Sequence, residues 1–402
     1  MTATCSRRTV LGRNATPDDG LILDLFAGPG GWSHALRMLG LADVGIELDP
    51  AACATRAAAG HATVRADVAT LPVAQLRGKL KGLIGSPPCQ GMSAAGKRSG
   101  WADLELIGSL LIDLAHGRDT RAEHAARVAD PRSLLIAEPL RYALAAMPEW
   151  IACEQVPAVL PLWKETARHL EAAGYSTWCG ILNAADYGVP QTRKRAFLIA
   201  SRARRMHCPT PTHAQTPDLP DTLFGTGRKP WVTMADALGW GATDRPVPTV
   251  TAGGGKTGGA EPFPSQARAT LKRSQSSGSW VLRNGNQPNA ARRTLDEPAP
   301  TMAFGHNSSR VQWTAQHPAT TVCGTDRISP PGHRDRAGGE SQFSSPSTLR
   351  ITVAEAALLQ SFPADYPWQG TNTKAFEQIG NAVPPRLAAA VLAVAAGIEV
   401  GA

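Results

Sequence analysis

No two of the seven cysteines are spaced as a CxxC pair. They stand at positions 5, 53, 89, 153, 179, 208 and 323, and with the ten histidines they make no zinc-like cluster, so no metal is expected. An odd, scattered set also excludes the paired framework of a small secreted domain and suits a reducing cytoplasm. No uninterrupted apolar run is long enough to cross a bilayer, and no membrane partner is expected. The first residues, MTATCSRRTVLGRNATPDD, carry arginines but lack the apolar core of a signal peptide. Residues 1–20 therefore read as a poorly ordered leader on a cytoplasmic, monomeric protein.

What is present is a chain of 402 residues, 43% of them hydrophobic, enough for a sizeable core and two domains. The formal net charge is +8 and it is unevenly spread. Residues 201–345 hold 17 Lys and Arg against 10 Asp and Glu, while the remainder holds 24 against 23. Nearly all the excess lies in one segment, as expected if that segment faces a polyanion. A solvated basic surface without a partner would give the same count.

From Leu21 the pattern is regular. LILDLF reads as a short strand, AGPGG as a glycine turn, and WSHALRMLG as the opening of a helix. That order gathers backbone N–H groups and a helix N-terminus around a ligand, with Asp24 at the strand end to take a ligand amine. The next strand, Asp43 to Leu48, carries Glu47 about twenty residues beyond the turn, where an acid can bond a ribose diol. A third, Thr63 to Ala66, ends at Asp67, placed for an adenine amino group. Either acid alone is more often a surface carboxylate or helix cap. With the glycine turn they describe a bound adenosine.

A fourth apolar run, Leu80 to Ile84, leads into GSPPCQGMS. Loops at the carboxyl ends of strands are where open α/β sheets bind ligands. Two prolines fix the backbone ahead of Cys89, so its thiol is aimed. A lone cysteine is usually a buried structural residue; here the surrounding motifs favour a functional one.

DLFAGPGG, Glu47, Asp67 and PPCQ resemble the first four motifs of the DNA cytosine-5 methyltransferase family. CEQVP (153–157), DYGVPQTRKRAF (186–197), LLQSFP (358–363) and QIGNAVP (378–384) follow in the family's order. The resemblance covers residues 21–200 and 347–395. It implies an α/β fold, the class I S-adenosylmethionine-dependent methyltransferase with a Rossmann-like mixed sheet, and an inserted, mostly-β target-recognition domain. The expected segments are a catalytic domain at 21–200, the recognition domain at 201–345, and 346–402 completing the catalytic domain. The implied cofactor is S-adenosylmethionine, held by Asp24, Phe26, Ala27, Gly28, Gly30, Gly31, Glu47, Leu48, Asp67, Val68, Pro88, Asn381 and Ala382. Asn381 would meet its methionine end, in a segment packed against the glycine turn.

The chemistry explains the remaining residue types. Carbon 5 of cytosine is a poor nucleophile until a thiolate adds at carbon 6. Cys89 is the cysteine in the right context, and a thiol of pKa about 8.5 needs local activation. The resemblance gives Glu154 the task of bonding ring nitrogen 3 and the exocyclic amine, with a raised pKa to hold a proton. Gln155 stands where the family usually has Asn, which bears on how Glu154 is oriented. Glu138 in IAEPLR is a weaker rival whose spacing fits the helix before the strand. Arg193 and Arg195 alternate across Lys194, so in an extended segment they share a face. The family places one or both on cytosine O2, steadying Glu154.

The stretch after Cys89 is a glycine- and serine-rich loop that closes on DNA in this family. Gln90, Lys97 and Arg98 are its candidate DNA contacts and Trp101 an anchor, the target base being flipped from the duplex. In residues 201–345 helical periodicity vanishes, and PVPTVTAGG, PAPTMAFG and PATTVCG (246–254, 298–305, 318–324) recur as short β segments ending in turns, or as compositional bias. Arg292, Arg293, Arg310, Arg327, Arg334 and Arg336 supply candidates for phosphate and guanine contacts. Trp231, Trp240, Trp280 and Trp313 argue for a packed core rather than a disordered linker. The expected partner is double-stranded DNA, and the family's commonest setting adds a cognate restriction endonuclease. An RNA cytosine-5 methyltransferase and a catalytically silent DNA-binding relative remain as rivals. The long basic insert disfavours the first, and the intact Cys89, Glu154 and arginines the second.

Overall fold

The structure is a computed structural model describing residues 20–88, 103–217, 227–239, 280–284, 290–302, 311–315 and 348–399. Chain packing separates two compact units, Met1–Ile181 with Arg195–Pro209 and Ala388–Ala402, and Leu182–Lys194 with Thr210–Leu387. These divisions fall at other points than the composition shifts at Ser201 and Ser345. Residues 182–194 join the second unit because they bond within it: Thr192 N–H donates to the Ala299 carbonyl (2.8 Å) and Ala299 N–H to that of Pro190 (2.9 Å).

A seven-stranded mixed sheet carries the first unit. Its strands are β1 (Leu21–Leu25), β2 (Val44–Glu47), β3 (Ala62–Arg65), β4 (Leu80–Gly85), β5 (Trp150–Gln155), β6 (Ser176–Asn183) and β7 (Lys194–Ser201), in the order β3-β2-β1-β4-β5-β7-β6. β1 to β5 run parallel, and β7 lies antiparallel to β5. The helices α1 (Gly31–Met38), α2 (Pro50–Ala58), α3 (Leu104–Ala115), α4 (Arg121–Ala125), α5 (Glu138–Ala146) and α6 (Leu160–Ala172) connect them. β5, buried along its whole length, and the mostly buried β4 carry near-continuous apolar runs, whereas the edge strand β3 is largely exposed. Leu83, Leu110, Leu111, Tyr142 and Trp163 are all buried in one core of sheet and helices. The alternation of strands and helices read from the sequence is thus met by a doubly wound sheet.

Two strand ends differ from expectation. The apolar run Trp150 to Cys153 reads from the sequence as the whole strand, but β5 runs on through Glu154 and Gln155, because these pair with Phe197 and Ala196 of β7. β7 starts at Lys194, leaving Arg193 outside the strand.

In the second unit β8 (His213–Ala214) and β9 (Lys229–Pro230) form a short parallel pair. β10 (Trp280–Asn284), β11 (Ala291–Thr294), β12 (Val311–Ala315) and β13 (Thr348–Arg350) form an antiparallel sheet in the order β11-β10-β12-β13. Its helices are α7 (Met234–Leu238), α8 (Val353–Leu359) and α9 (Asn372–Asn381), and α10 (Pro385–Ala396) follows. The phrases at 246–254 and 318–324, residues 303–305 and Trp240 lie outside the described residues; in the phrase at 298–305, Pro298 to Met302 form no strand and carry an isolated bridge from Ala299 to Gln191. Residues Asn372–Ala396 reach the hydropathy of a membrane span, 1.4, but 67% of that window is buried within the protein. The helix is also broken at Ala382, which is extended.

Candidate active site

The strand order reverses between β1 and β4, the two central neighbours. Ligands of open α/β sheets bind outside the carboxyl ends of the strands at such a point. The turn after β1, Glu47 of β2, the Ser86–Pro88 segment after β4 and Glu154 of β5 all belong to that edge, since β1, β2, β4 and β5 are parallel.

Leaving β1, the backbone turns sharply through Phe26 (φ 59°), Gly28 (φ 53°) and Gly30 (φ 105°) into α1. Gly28 and Gly30 take this left-handed backbone without strain, and Phe26 is held in it. The turn is pinned by Ala27 N–H to the Ile46 carbonyl (3.0 Å) and by Gly28 N–H to Glu47 Oε2 (2.7 Å). Glu47 Oε1 accepts the N–H groups of Leu48 and Asp49, both at 2.7 Å. One carboxylate therefore organises both the glycine turn and the loop after β2. The next side chain, Leu48, is 59% exposed, an apolar surface beside the turn.

Beneath the turn lies a buried guanidinium that sequence reasoning missed. Arg56 of α2 is fully buried; it donates to Thr63 Oγ1 (2.9 Å), Ser33 Oγ (2.8 Å) and the Ala62 carbonyl (3.1 Å), and pairs with Asp43 (3.2 Å). Gly45 makes room for it, since a Cβ there would stand 2.1 Å from Arg56 Nη2. Asp24 lies within β1, not at its end, and is fully buried 3.9 Å from Arg56. Neither of its carboxyl oxygens has a hydrogen-bond partner among the described residues. Burial first, then Asp43, push its pKa well up, Arg56 pulls it back, and Glu47 raises it further.

Asp67 follows β3 and caps a short helical turn, its Oδ1 accepting Ala69 N–H at 2.9 Å. Val68 is buried, and its carbonyl accepts Tyr142 Oη (2.8 Å) and Arg141 Nη2 (3.0 Å). Trp32 of α1 donates to Ser86 Oγ (2.8 Å) and stands edge-on to Phe197 of β7 with ring centroids 6.3 Å apart. It ties the glycine turn to the loop after β4.

At the end of β5, Glu154 is 6% exposed and its Oε1 lies 3.1 Å from Arg195 Nε. The antiparallel pairing of β5 and β7 brings them together. Gln155 bridges strands: its Nε2 donates to the Pro87 carbonyl (2.7 Å) while its Oε1 accepts Val156 N–H. Pro88 is half-buried in the same segment. Arg193 is not on a shared strand face with Arg195. Its backbone N–H is taken by Asn183 Oδ1 (3.0 Å), which holds it in the bend before β7, and Nη1 donates to the Gly380 carbonyl (2.8 Å) in the second unit. Asn381, exposed, ends α9, and Ala382 is buried beside it. Glu138 begins α5, before β5, paired with Arg121 (2.9 Å) and Arg141 (2.6 Å).

Cys89, Gln90, Lys97, Arg98 and Trp101 lie outside the described residues, as do Arg310, Arg327, Arg334 and Arg336. Each cysteine that is described has its thiol pushed away from ionisation, chiefly by burial: Cys53 and Cys208 upward, Cys179 to about 12, and the fully buried Cys153 further still. None is poised as a nucleophile. In the four-stranded sheet, exposed Arg292 stands directly opposite Arg283 of β10, a residue not singled out from sequence, and Arg293 lies 3.8 Å from Glu297. Burial and Arg292 lower the Arg283 pKa.

The model of the C-5 cytosine-specific DNA methylase family matches residues 21–116 and 121–395. The chain belongs to this family. It is a DNA (cytosine-5)-methyltransferase. Type II methyltransferase M.DdeI of Desulfomicrobium norvegicum is 28% identical over 92% of this chain and 87% of its own. Type II methyltransferase M1.HphI of Haemophilus parahaemolyticus is 27% identical over 92% and 84%. Among solved structures, a Spodoptera frugiperda DNMT2 mutant superposes with a TM-score of 0.53 at 14% identity, covering 94% of this chain and 99% of that one, a likeness of fold.

Proposed function

We propose that the protein methylates carbon 5 of cytosine within a specific duplex DNA sequence, from S-adenosylmethionine, by way of a covalent bond between Cys89 and carbon 6 of a flipped-out base. The observation that carries this reading is the Glu154–Arg195 pair, 3.1 Å apart at the carboxyl end of β5, with Gln155 bonded to the proline loop that precedes Cys89 in the chain.

The residues present fit the cofactor. Glu47, which pins the glycine turn, would accept a ribose diol, the exposed Leu48 would meet a base, Asp67 would accept an amino group, and Asp24 carries carboxyl oxygens without a hydrogen-bond partner among the described residues. When bound, S-adenosylmethionine supplies an electrophilic methyl group. Cys89 supplies the thiolate whose addition at carbon 6 makes carbon 5 nucleophilic. Glu154, as the protonated carboxyl, donates to ring nitrogen 3 as charge builds on the ring, its other oxygen accepts from the exocyclic amine, and Arg195 holds the carboxyl in place. After transfer the carbon 5 proton passes to a water molecule, its bonding pair re-forms the carbon 5–carbon 6 double bond, the sulfur–carbon 6 bond breaks with its pair leaving on the Cys89 thiolate, and the proton on nitrogen 3 returns to Glu154. Arg283, Arg292 and Arg293 are phosphate or base contacts on the four-stranded sheet. The likeness to type II methyltransferases supports a cognate restriction endonuclease as partner.

Purified protein incubated with labelled S-adenosylmethionine, duplex DNA and tRNA tests the reading. The expected product is 5-methyldeoxycytidine in the DNA, lost in Cys89→Ala while DNA binding is kept. Label in tRNA alone would transfer the activity to RNA, and an active Cys89→Ala would refute the covalent step.

A further inference from the structure

Glu138, the weaker candidate for the catalytic acid, has a different setting. It is 2% exposed at the start of α5, its Oε1 2.9 Å from Arg121 Nη1 and its Oε2 2.7 Å from Arg141 Nε. Both guanidiniums reach past it to successive carbonyls of one turn. Arg121 Nη1 donates to Ala69 O (2.7 Å), and Arg141 Nη2 to Val68 O (3.0 Å). Tyr142 Oη gives Val68 O a second bond at 2.8 Å, and Arg141 stacks over the Tyr142 ring 4.7 Å from its centroid.

The Val68 carbonyl and the Ala69 N–H belong to one peptide plane and point in opposite directions. Two donors on that carbonyl therefore fix where the N–H points, and what it points at is Asp67 Oδ1, 2.9 Å away. They also polarise the peptide, making its N–H a better donor. A buried carboxylate between two guanidiniums is no stronger a packing device than an apolar contact of the same size. Its distinguishing effect is directional.

We propose that Glu138, with Arg141 and Tyr142, aims the Asp67 carboxylate, and so sets the protein's preference for an adenine over other purines in its cofactor. These are positioning residues, and the inference rests on the reading of Asp67 as the acid that bonds the adenine amino group. Replacing that amino group by a carbonyl turns a donor into an acceptor facing a carboxylate. A site so held rejects the analogue; a loosened one does so less.

Calorimetric binding of S-adenosylhomocysteine and of its inosine counterpart, to wild type, Glu138→Gln and Tyr142→Phe, is the test. Wild type is expected to prefer the adenine compound by about a hundredfold or more, because the wrong base leaves polar groups unpaired. In Glu138→Gln the preference falls to about tenfold or less, and Tyr142→Phe lies between. Tyr142→Phe changes no charge, so it carries the test if Glu138→Gln does not fold. A general loss of stability weakens both ligands alike and leaves the ratio unchanged, so an unchanged ratio in folded variants overturns the proposal alone. Equal binding of the two ligands by wild type overturns the assignment of Asp67 and the proposal with it.

Discussion

Asp24 and Arg56 show how burial can set a carboxyl against the stability of the fold. The donors of Arg56 are committed to Thr63, Ser33, the Ala62 carbonyl and Asp43, and Asp24 is left at 3.9 Å. Its pKa in the folded protein is raised by burial and Asp43, from about 3.9 in an unfolded chain. Between those two values the folded state binds more protons than the unfolded one, so stability falls as pH rises through the window. Asp24→Asn removes this cost. Its melting temperature should exceed that of wild type by about 2–4 °C near neutral pH. The gain should shrink as the pH falls to about 4 and vanish below about pH 3, where the carboxyl is protonated in both states. Melts across this range check this, and a lower Tm for the variant at neutral pH would mean that attraction to Arg56 outweighs burial. None of this was legible in the sequence, where Arg56 in CATRAAAG looks like a surface residue of a helix. Its partners come from α1, β3 and the segment before β2, and only the fold assembles them.

Strands and turns were read more easily than side-chain partners. β1, β2, β4 and the glycine turn follow from apolar runs broken by glycine and proline, signals that are local. The extension of β5 through Gln155 was not legible, because it depends on pairing with β7, which is distant in sequence. Nor was the role of Gln155, which looked only like a lengthened asparagine. Its extra methylene lies in a side chain that spans from the end of β5 to the Pro87 carbonyl after β4, its Nε2 2.7 Å from that oxygen. Gln155→Ala removes this strut and leaves a buried carbonyl without that donor, a loss of about 1–3 kcal/mol. Single-turnover methylation should slow by about tenfold to a hundredfold, with cofactor binding close to wild type, since the side-chain hydrogen bonds of Gln155 go to Pro87 and Val156. Gln155→Asn, too short by one methylene, should fall between. Wild-type rates in Gln155→Ala would show that the prolines hold the loop unaided.

Across the whole molecule the unequal distribution of charge was the most legible functional sign, and the register of the basic sheet the least. Residues 201–345 carry 17 cations against 10 anions. Arg283 did not stand out among them, because what sets it apart is its place opposite Arg292 on the neighbouring strand. Like charges directly opposite in a sheet repel one another. A phosphate backbone would turn that repulsion into attraction, and the counterions it releases make binding salt-dependent. DNA affinity should therefore fall by at least about a hundredfold between roughly 50 and 200 mM salt. Replacing Arg283 and Arg292 together by alanine should lower the magnitude of the slope of log K against log salt by about 1–2. Anisotropy titrations at several salt concentrations measure both. If the double variant keeps the wild-type slope, the pair is a structural feature of the sheet, and the phosphate contacts belong to the other arginines of this segment.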